Sequence, residues 1–283
     1  LRRAAIDGHV FTGAAVSAKT RNNVNVIGQG PTPMIFAHGY GCDQNMWRLV
    51  TPSFLERYRI ILFDLVGCGR SDLSRYDRDK YGKLRGHAED VLEILSEVTD
   101  EPAVFVGHSV SAMIGTLAAI SAKERFQSIV MIGPSPCYIN HRDYIGGFSQ
   151  QDIESLLDTL DSNYLGWASS MAPRIMGAPN QPELSRELTN SFCSTDPEIA
   201  KHFAHVTFLS DNRPDLPKLE TRSLILQCSD DIIAPIEVGK YMHAVMKNST
   251  LRVIDNIGHC PHLSNPVAIV AAMHEFLNAN GEG

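Results

Sequence analysis

Short apolar runs alternate with longer amphipathic stretches along much of the chain. The short runs are rich in β-branched residues and apolar on both faces, as expected of parallel strands covered by helices. Between two of them, apolar residues recur at three- and four-residue steps over 84–98, which predicts a helix. The pattern therefore predicts an α/β fold with a mostly parallel, doubly wound sheet. We place its strands at 34–37, 60–64, 104–107, 128–132, 224–227 and 251–254.

The alternation stops after Gly133 and resumes at Leu224. The stretch between them has no convincing strand pattern and contains helical segments separated by turn and cap signals. We predict a core formed by 21–134 and 214–283, interrupted by a helical lid at 135–213. An insertion at this point is expected to cover the carboxyl ends of the strands, where open α/β sheets bind ligands.

Composition and charge narrow the class of protein. The 283 residues are 43% hydrophobic and 20% charged, which is typical of a soluble globular protein. A formal net charge of −7 argues against nucleic acid or a membrane surface as partner. Six cysteines form no C-x-x-C pair, which favours reduced thiols and a cytoplasmic location. Residues 1–20 have no continuous apolar stretch, and we expect them to be a flexible tail.

The strongest chemical signal is the run Gly107-His108-Ser109-Val110-Ser111, between a predicted strand and a predicted helix. A serine on such a sharp turn projects its hydroxyl above the sheet, where a substrate can reach it. The turn needs small neighbours, and Ser111 is small although the usual pattern has glycine there. A serine here can also simply cap the helix. The strand-turn-helix context favours Ser109 as a nucleophile.

A serine hydroxyl needs a base, and in this architecture an acid and then a histidine follow it along the chain. Asp231 and His259 each come shortly after a predicted strand, and so at the same sheet edge as Ser109. We therefore predict a catalytic triad of these three residues. Asp230 is the alternative acid, but the Asp-x-x-x-Pro spacing to Pro235 favours Asp231.

The run His38-Gly39-Tyr40-Gly41 follows the first predicted strand and predicts an oxyanion hole. Its two donors are expected to be the backbone N–H groups of Tyr40 and Val110. The run lacks the third glycine of a dinucleotide fingerprint, and the chain has no P-loop. No carboxylate or cysteine at suitable spacing completes a metal site with His259 and His262. We therefore expect neither a cofactor nor a metal.

Several motifs outside the triad carry a family resemblance. They are Gly41-Cys42-Asp43-Gln44, Ile61-Leu62-Phe63-Asp64, Gly133-Pro134-Ser135-Pro136-Cys137-Tyr138, Phe192-Cys193-Ser194-Thr195-Asp196-Pro197 and the run 226–235. With these motifs the chain resembles the RsbQ family of α/β-hydrolases, which are bacterial stress-response regulators. It also resembles their plant relatives, the karrikin and strigolactone receptors. The similarity covers about residues 22–278.

The resemblance implies a four-helix lid over a hydrophobic pocket, and a monomer. Phe148, Trp167, Phe192 and Phe208 are then lid aromatics that either line the pocket or pack the lid helices together. Tyr40 stands where these relatives usually carry Phe, so their ligand preference does not transfer to this chain.

Two functions are consistent with these features. The first is a serine hydrolase of a small hydrophobic ester or lactone. The second is a ligand sensor with slow or single turnover that acts through a protein partner. The resemblance implies such signalling, because the bacterial relative works with a phosphatase that carries a PAS domain, and the plant relatives recruit partners through the lid.

Overall fold

The computed structural model describes residues 16–279. Their strands are β1 Asn25–Ile27, β2 Thr32–Ala37, β3 Tyr58–Leu62, β4 Ala103–His108, β5 Phe126–Ile132, β6 Ser223–Asp230 and β7 Ser249–Ile257. They form one sheet in the order β1-β3-β2-β4-β5-β6-β7. β1 pairs antiparallel with β3, and the other pairs are parallel, which confirms the predicted sheet.

Helices cover both faces of the sheet because successive side chains of each strand point to opposite faces. The helices are α1 Ala18–Arg21, α2 Leu84–Val98, α3 Val110–Ser121, α4 Gln150–Ser162, α5 Tyr164–Met176, α6 Pro182–Ser194, α7 Pro197–Phe208, α8 Ile236–Val245, α9 Pro261–Ser264 and α10 Pro266–Asn278. In β4, for example, Phe105 packs on one side with α2, α3 and α8, while Val104 and Val106 pack on the other with α10.

All six predicted strands are present, with bounds that differ by a few residues. β1 was not predicted, because its three residues are exposed and leave no apolar pattern. β6 continues to Asp230, beyond the predicted end at residue 227. Asp231 therefore directly follows a strand at the carboxyl edge of the sheet.

Four helices, α4 to α7, lie between β5 and β6. Local capping explains where two of them begin. Ser149 and Asp152 form a reciprocal capping box at the start of α4, and Asp196 accepts two backbone N–H bonds at the start of α7. Their apolar faces form a cluster of their own with residues at the edge of the sheet, including Tyr138 and Cys260.

The predicted tail ends earlier than residue 20. α1 begins at Ala18, which is buried, and the carboxylate of Glu97 accepts the N–H groups of Ala18 and Lys19 at 2.7 and 3.0 Å. The carboxylate satisfies N–H groups that the first turn of a helix leaves without partners. The rest of the predicted tail, residues 1–15, lies outside the described residues. No helix in the stretch 16–279 is long and apolar enough to span a bilayer.

Candidate active site

Ser109 lies at the turn between β4 and α3 with φ 55° and ψ −126°. Positive φ is rare for residues with a side chain and costs on the order of 1–3 kcal/mol, so it persists only where the surrounding structure enforces it. A Cβ at Gly107 would lie 2.7 Å from the ring of Phe105 and from the carbonyl oxygen of Ser111, so glycine is required there. Ser111 itself is buried, and its hydroxyl donates to the carbonyl of His38. This hydrogen bond explains how the turn accommodates serine in place of the usual glycine.

His259 contacts both of its predicted partners. Its Nε2 is 2.8 Å from Oγ of Ser109, and its Nδ1 is 2.6 Å from Oδ2 of Asp231. The other carboxylate oxygen of Asp231 accepts the backbone N–H groups of Ile233 and Ala234 at 2.8 and 3.2 Å. With Nδ1–H donated to the carboxylate, Nε2 is free to accept the proton of the serine hydroxyl.

The structure separates the two adjacent aspartates. Asp230 is exposed, and its backbone carbonyl accepts the N–H of Gly258 at 2.7 Å. Asp231 is buried and faces the imidazole, as the spacing to Pro235 predicted.

The backbone of His259 is held from two sides. Its N–H donates to the carbonyl of Ile175 at 2.7 Å, and its carbonyl accepts from Nε2 of His108 at 2.8 Å.

Two buried imidazoles pack beside the site. Burial lowers the pKa of His108 well below its usual value, with smaller contributions from His262 and His259, so the ring is neutral. Burial also lowers the pKa of His262 to about 3. The ring of His262 lies 4.3 Å from that of His108 and 4.9 Å from that of Trp47, so its contacts are aromatic.

The loop after β2 lies against Ser109. A Cβ added to Gly39 would be 3.3 Å from Cβ of Ser109 and 2.5 Å from Nδ1 of His108. Tyr40 is the next residue of this loop, and Val110 is the first residue of α3. The two backbone positions predicted as oxyanion donors therefore flank Ser109 from different elements.

A narrow cavity of about 30 Å³ adjoins Ser109 and His259. It lies between the carboxyl edge of the sheet and the inserted helices, and its walls are mainly apolar and aromatic. Burial raises the pKa of the Cys42 and Cys260 thiols well above the usual value, so both face the cavity as neutral groups. The remaining lining residues are Tyr40, His108, Tyr138, Trp167, Ile175, Leu188, Phe192, Thr207, Phe208 and Ile233.

Comparison with known proteins assigns the chain to a family. The model of the alpha/beta hydrolase family matches residues 34–272. The chain belongs to the α/β-hydrolase family. It is 34% identical to the karrikin insensitive 2 receptor CA of Petunia hybrida over 89% of this chain and 94% of that protein. It is 33% identical to strigolactone esterase D14 of Arabidopsis thaliana, over 90% and 96%.

A solved structure resembles this α/β-hydrolase over nearly its whole length. It is a hydrolase from Oleispira antarctica, with 43% sequence identity and a TM-score of 0.90. The match covers 92% of this chain and 96% of that one. The likeness therefore includes both the sheet and the four helices between β5 and β6.

Three of the four aromatic residues predicted for the pocket of this α/β-hydrolase do line the cavity, namely Trp167, Phe192 and Phe208. The prediction is wrong for Phe148, which lies in a separate surface groove between α4 and α5. Its backbone pairs with the chain near Tyr138, with an N–H···O distance of 3.1 Å. Trp167 lines both spaces, so it stands between Phe148 and the cavity.

Several cavity residues of this α/β-hydrolase were not predicted from sequence. Tyr138 and Cys42 belong to motifs that marked the family, and Leu188 and Cys260 belong to none of the predicted site patterns. They come from separate loops and helices, so no spacing along the chain connects them. Tyr40 was assigned only a backbone role, yet its ring also lines the cavity and lies within 5.7–6.4 Å of the rings of Trp167, Phe192, Phe203 and Phe208.

Proposed function

We propose that the protein is a serine hydrolase that cleaves a small hydrophobic ester or lactone. The observation that carries this proposal is the position of His259, whose two ring nitrogens contact Oγ of Ser109 and Oδ2 of Asp231 at once, at 2.8 and 2.6 Å. In this arrangement the imidazole can remove the serine proton, while the carboxylate fixes its tautomer and stabilises the imidazolium. A serine held this way is an activated nucleophile.

The reaction proceeds in two steps. Oγ of Ser109 attacks the carbonyl carbon while His259 takes its proton, and the imidazolium then returns that proton to the leaving alkoxide. In the second step water, deprotonated by the same imidazole, attacks the acyl carbon. The bond to Oγ of Ser109 breaks, the imidazolium returns the proton to Oγ, and the acid is released. The N–H groups of Tyr40 and Val110 stabilise the oxyanion in both steps, and each such donor contributes roughly 3–4 kcal/mol.

The cavity supports the proposed substrate class. Its walls are apolar and aromatic side chains, and the polar groups among them carry no fixed charge. These groups are the hydroxyls of Ser109, Thr207 and two tyrosines, the imidazoles of His108 and His259, and two neutral thiols. Charged substrates would lose their hydration there without gaining a partner, which is costly. We assign the segment 135–213 the role of a lid, because α5, α6 and α7 supply much of the cavity wall. The Arabidopsis relative is named as an esterase, which is consistent with this chemistry.

The first experiment is steady-state hydrolysis of a short-chain p-nitrophenyl ester by the wild type and by Ser109→Ala. Multiple turnover that disappears in the variant supports the proposal. Ser128→Ala is the matched control, because Ser128 is also buried but lies within β5, away from the cavity. Hydrolysis that continues unchanged in Ser109→Ala overturns the mechanism.

The second candidate function is a ligand sensor with slow or single turnover. The likeness to plant proteins favours this function. The chain is 33–34% identical to two of them over about nine tenths of its length, and one of the two is named as a receptor. In this proposal the protein is a cytoplasmic monomer of the RsbQ type that signals through a PAS-domain phosphatase in a stress response. Rapid-mixing kinetics distinguish the two functions. A burst of about one product equivalent followed by almost no further product release supports the sensor, whereas sustained release supports the enzyme.

A further inference from the structure

A second cluster of reactive side chains lies at the base of the inserted helices, away from Ser109. Cys137 belongs to the segment that leads from β5 into these helices, and Asp211 to the segment that leads out of α7. The two residues form an antiparallel bridge, and the N–H of Asn212 donates to the carbonyl of Pro136 at 2.7 Å. The segment that leads into the inserted helices and the segment that leads out of them are therefore held side by side.

The donor atoms of Cys137, His141 and Asp211 converge at this bridge. Sγ of Cys137 is 3.7 Å from Nε2 of His141, and the sulfur, a ring nitrogen and a carboxylate oxygen all lie within 4.8 Å of one another. In a tetrahedral zinc site, bond lengths of about 2.0–2.3 Å place neighbouring ligand atoms roughly 3.3–3.8 Å apart. Side-chain adjustments of about 1 Å would bring the three donors to those separations.

The surroundings hold these side chains in place. The hydroxyl of Tyr144 donates to the carbonyl of Cys137 at 2.6 Å. The guanidinium of Arg213 lies 4.9 Å from the centre of the Tyr144 ring, and its Nε donates to Asp211 at 2.8 Å. Oδ1 of Asp211 accepts both the backbone N–H and the Nε–H of Arg213, and Oδ2 accepts from Nη2 of the same residue. Carboxylates that bind metals are commonly oriented by such hydrogen bonds, and Oδ2 keeps a lone pair for the ion. The positive charge of Arg213 opposes a cation and so lowers the affinity of the site.

We propose that Cys137, His141 and Asp211 form a zinc site, with water as the fourth ligand. Thiolate, imidazole and carboxylate are all ligands that Zn²⁺ accepts, whereas Mg²⁺ and Ca²⁺ prefer oxygen alone. When the metal binds, a Zn–S bond replaces the S–H bond, and the thiol proton passes to solvent. The bound ion joins the two ends of the inserted helical segment and so restrains movement of that segment relative to the sheet.

Cobalt titration tests the site, because Co²⁺ occupies zinc sites and gives a thiolate-to-metal charge-transfer band. We expect one equivalent of Co²⁺ to produce this band in the chelator-treated full chain, and Zn²⁺ to erase it by displacement. Cys137→Ser and His141→Ala should each lose the band. His141 is exposed, so its variant is expected to fold, and circular dichroism verifies this. Asp211→Asn should keep the band but weaken binding by about tenfold or more.

Two variants control for generic binding to surface groups. His205 lies 2.9 Å from the carboxylate of Asp161, which reproduces a histidine–carboxylate pair without a thiol. Cys193 is a partly exposed thiol elsewhere in the inserted helices. His205→Ala and Cys193→Ser should therefore leave the band and the affinity unchanged. Three results would each overturn the proposal. The wild type could show no thiolate band, His141→Ala could keep the band, or Asp211→Asn could bind the metal as tightly as the wild type.

Discussion

The hydroxyl of Tyr40 donates a hydrogen bond to the backbone carbonyl of Ala200, with an O···O distance of 2.9 Å. Tyr40 belongs to the loop that flanks Ser109, and Ala200 belongs to α7. The bond therefore ties the proposed oxyanion loop directly to one of the inserted helices. Phenylalanine at this position would have no hydroxyl to form it.

Replacing Tyr40 with Phe should loosen α7 from the loop while keeping the aromatic packing. A hydrogen bond of this kind contributes about 1 kcal/mol, enough to change the population of a more open arrangement several-fold. We expect kcat/KM for p-nitrophenyl esters with longer acyl chains to rise several-fold, and acrylamide quenching of Trp167, whose ring is 6.2 Å from Tyr40, to increase.

Tyr144→Phe is the control for that variant. The Tyr144 hydroxyl also donates to a backbone carbonyl, that of Cys137 at 2.6 Å, but neither residue lines the cavity. Its loss leaves the hydrogen bond between Tyr40 and Ala200 intact. Equal ester selectivity and equal quenching in the two variants would contradict the role assigned to the Tyr40 hydroxyl.

Asp231→Asn should lower kcat by about three to four orders of magnitude, because an amide no longer fixes the productive tautomer of His259. The adjacent exposed Asp230 supplies the matched control, since Asp230→Asn removes the same charge one residue away. Initial rates with a p-nitrophenyl ester measure both. A larger loss in Asp230→Asn would show that the acid had been assigned to the wrong residue.

Gly39→Ala should impair the chemistry without unfolding the protein. The added methyl group would meet His108 at 2.5 Å, and the loop must move away from Ser109 to relieve this contact. Displacing one oxyanion donor lowers kcat by about a hundredfold or more. Gly82→Ala is the control, because nothing lies within 4 Å of a Cβ there. Parallel thermal melts verify folding, and equal kcat in the two variants would exclude a role for the loop.

Acid should destabilise the fold through His87. Neither ring nitrogen of this buried imidazole has a hydrogen-bond partner among residues 16–279, and the ring stacks on Tyr81 at 4.6 Å. Burial lowers the pKa of His87 from its usual 6.5 to about 3, with smaller contributions from His38, Lys80 and His202. Between these values the unfolded chain binds a proton that the native protein does not. The free energy of unfolding therefore falls as pH decreases through this window, by up to about 1.4 kcal/mol per pH unit.

His87→Phe keeps a ring in the stack and removes the titrating group. Its free energy of unfolding should depend less steeply on pH than that of the wild type. Urea denaturation at several values from about pH 7 to about pH 4 measures both slopes. His262, whose pKa burial also lowers to about 3, continues to contribute in both proteins. Identical slopes would mean that His87 does not titrate as its burial implies.

The sheet and the contacts among Ser109, Asp231 and His259 were predictable because each depends on short stretches of sequence. Every predicted strand is an apolar run, and the turn at Ser109 requires small neighbours that adjoin it in the chain. The order of nucleophile, acid and histidine then follows from the order of the strands that carry them. The preference for Asp231 over Asp230 likewise depended on a short stretch of sequence, because it rested on a proline four residues after Asp231.

Other features depend on contacts between distant parts of the chain and could not be predicted from short stretches of sequence. α1 is stabilised by Glu97, which is remote in sequence, so residues 16–20 resembled the rest of a tail. Phe148 is an aromatic residue of the kind expected in a pocket, but backbone pairing near Tyr138 places it on the other side of Trp167 from the cavity. The cavity wall combines residues from several loops and helices, and only the folded chain brings them together.

The narrowness of the cavity has a kinetic consequence. A volume of about 30 Å³ holds a water molecule or two, far less than an aromatic ester. A ligand of that size therefore needs a wider arrangement of the cavity. If the free protein must reach this arrangement before binding, the measured dissociation constant exceeds the intrinsic one by the inverse of its populated fraction. When ligand concentration increases, the observed binding rate should level off at the rate at which the protein reaches that arrangement. Ligands of unrelated chemistry would then share the same limiting rate and differ mainly in how slowly they leave.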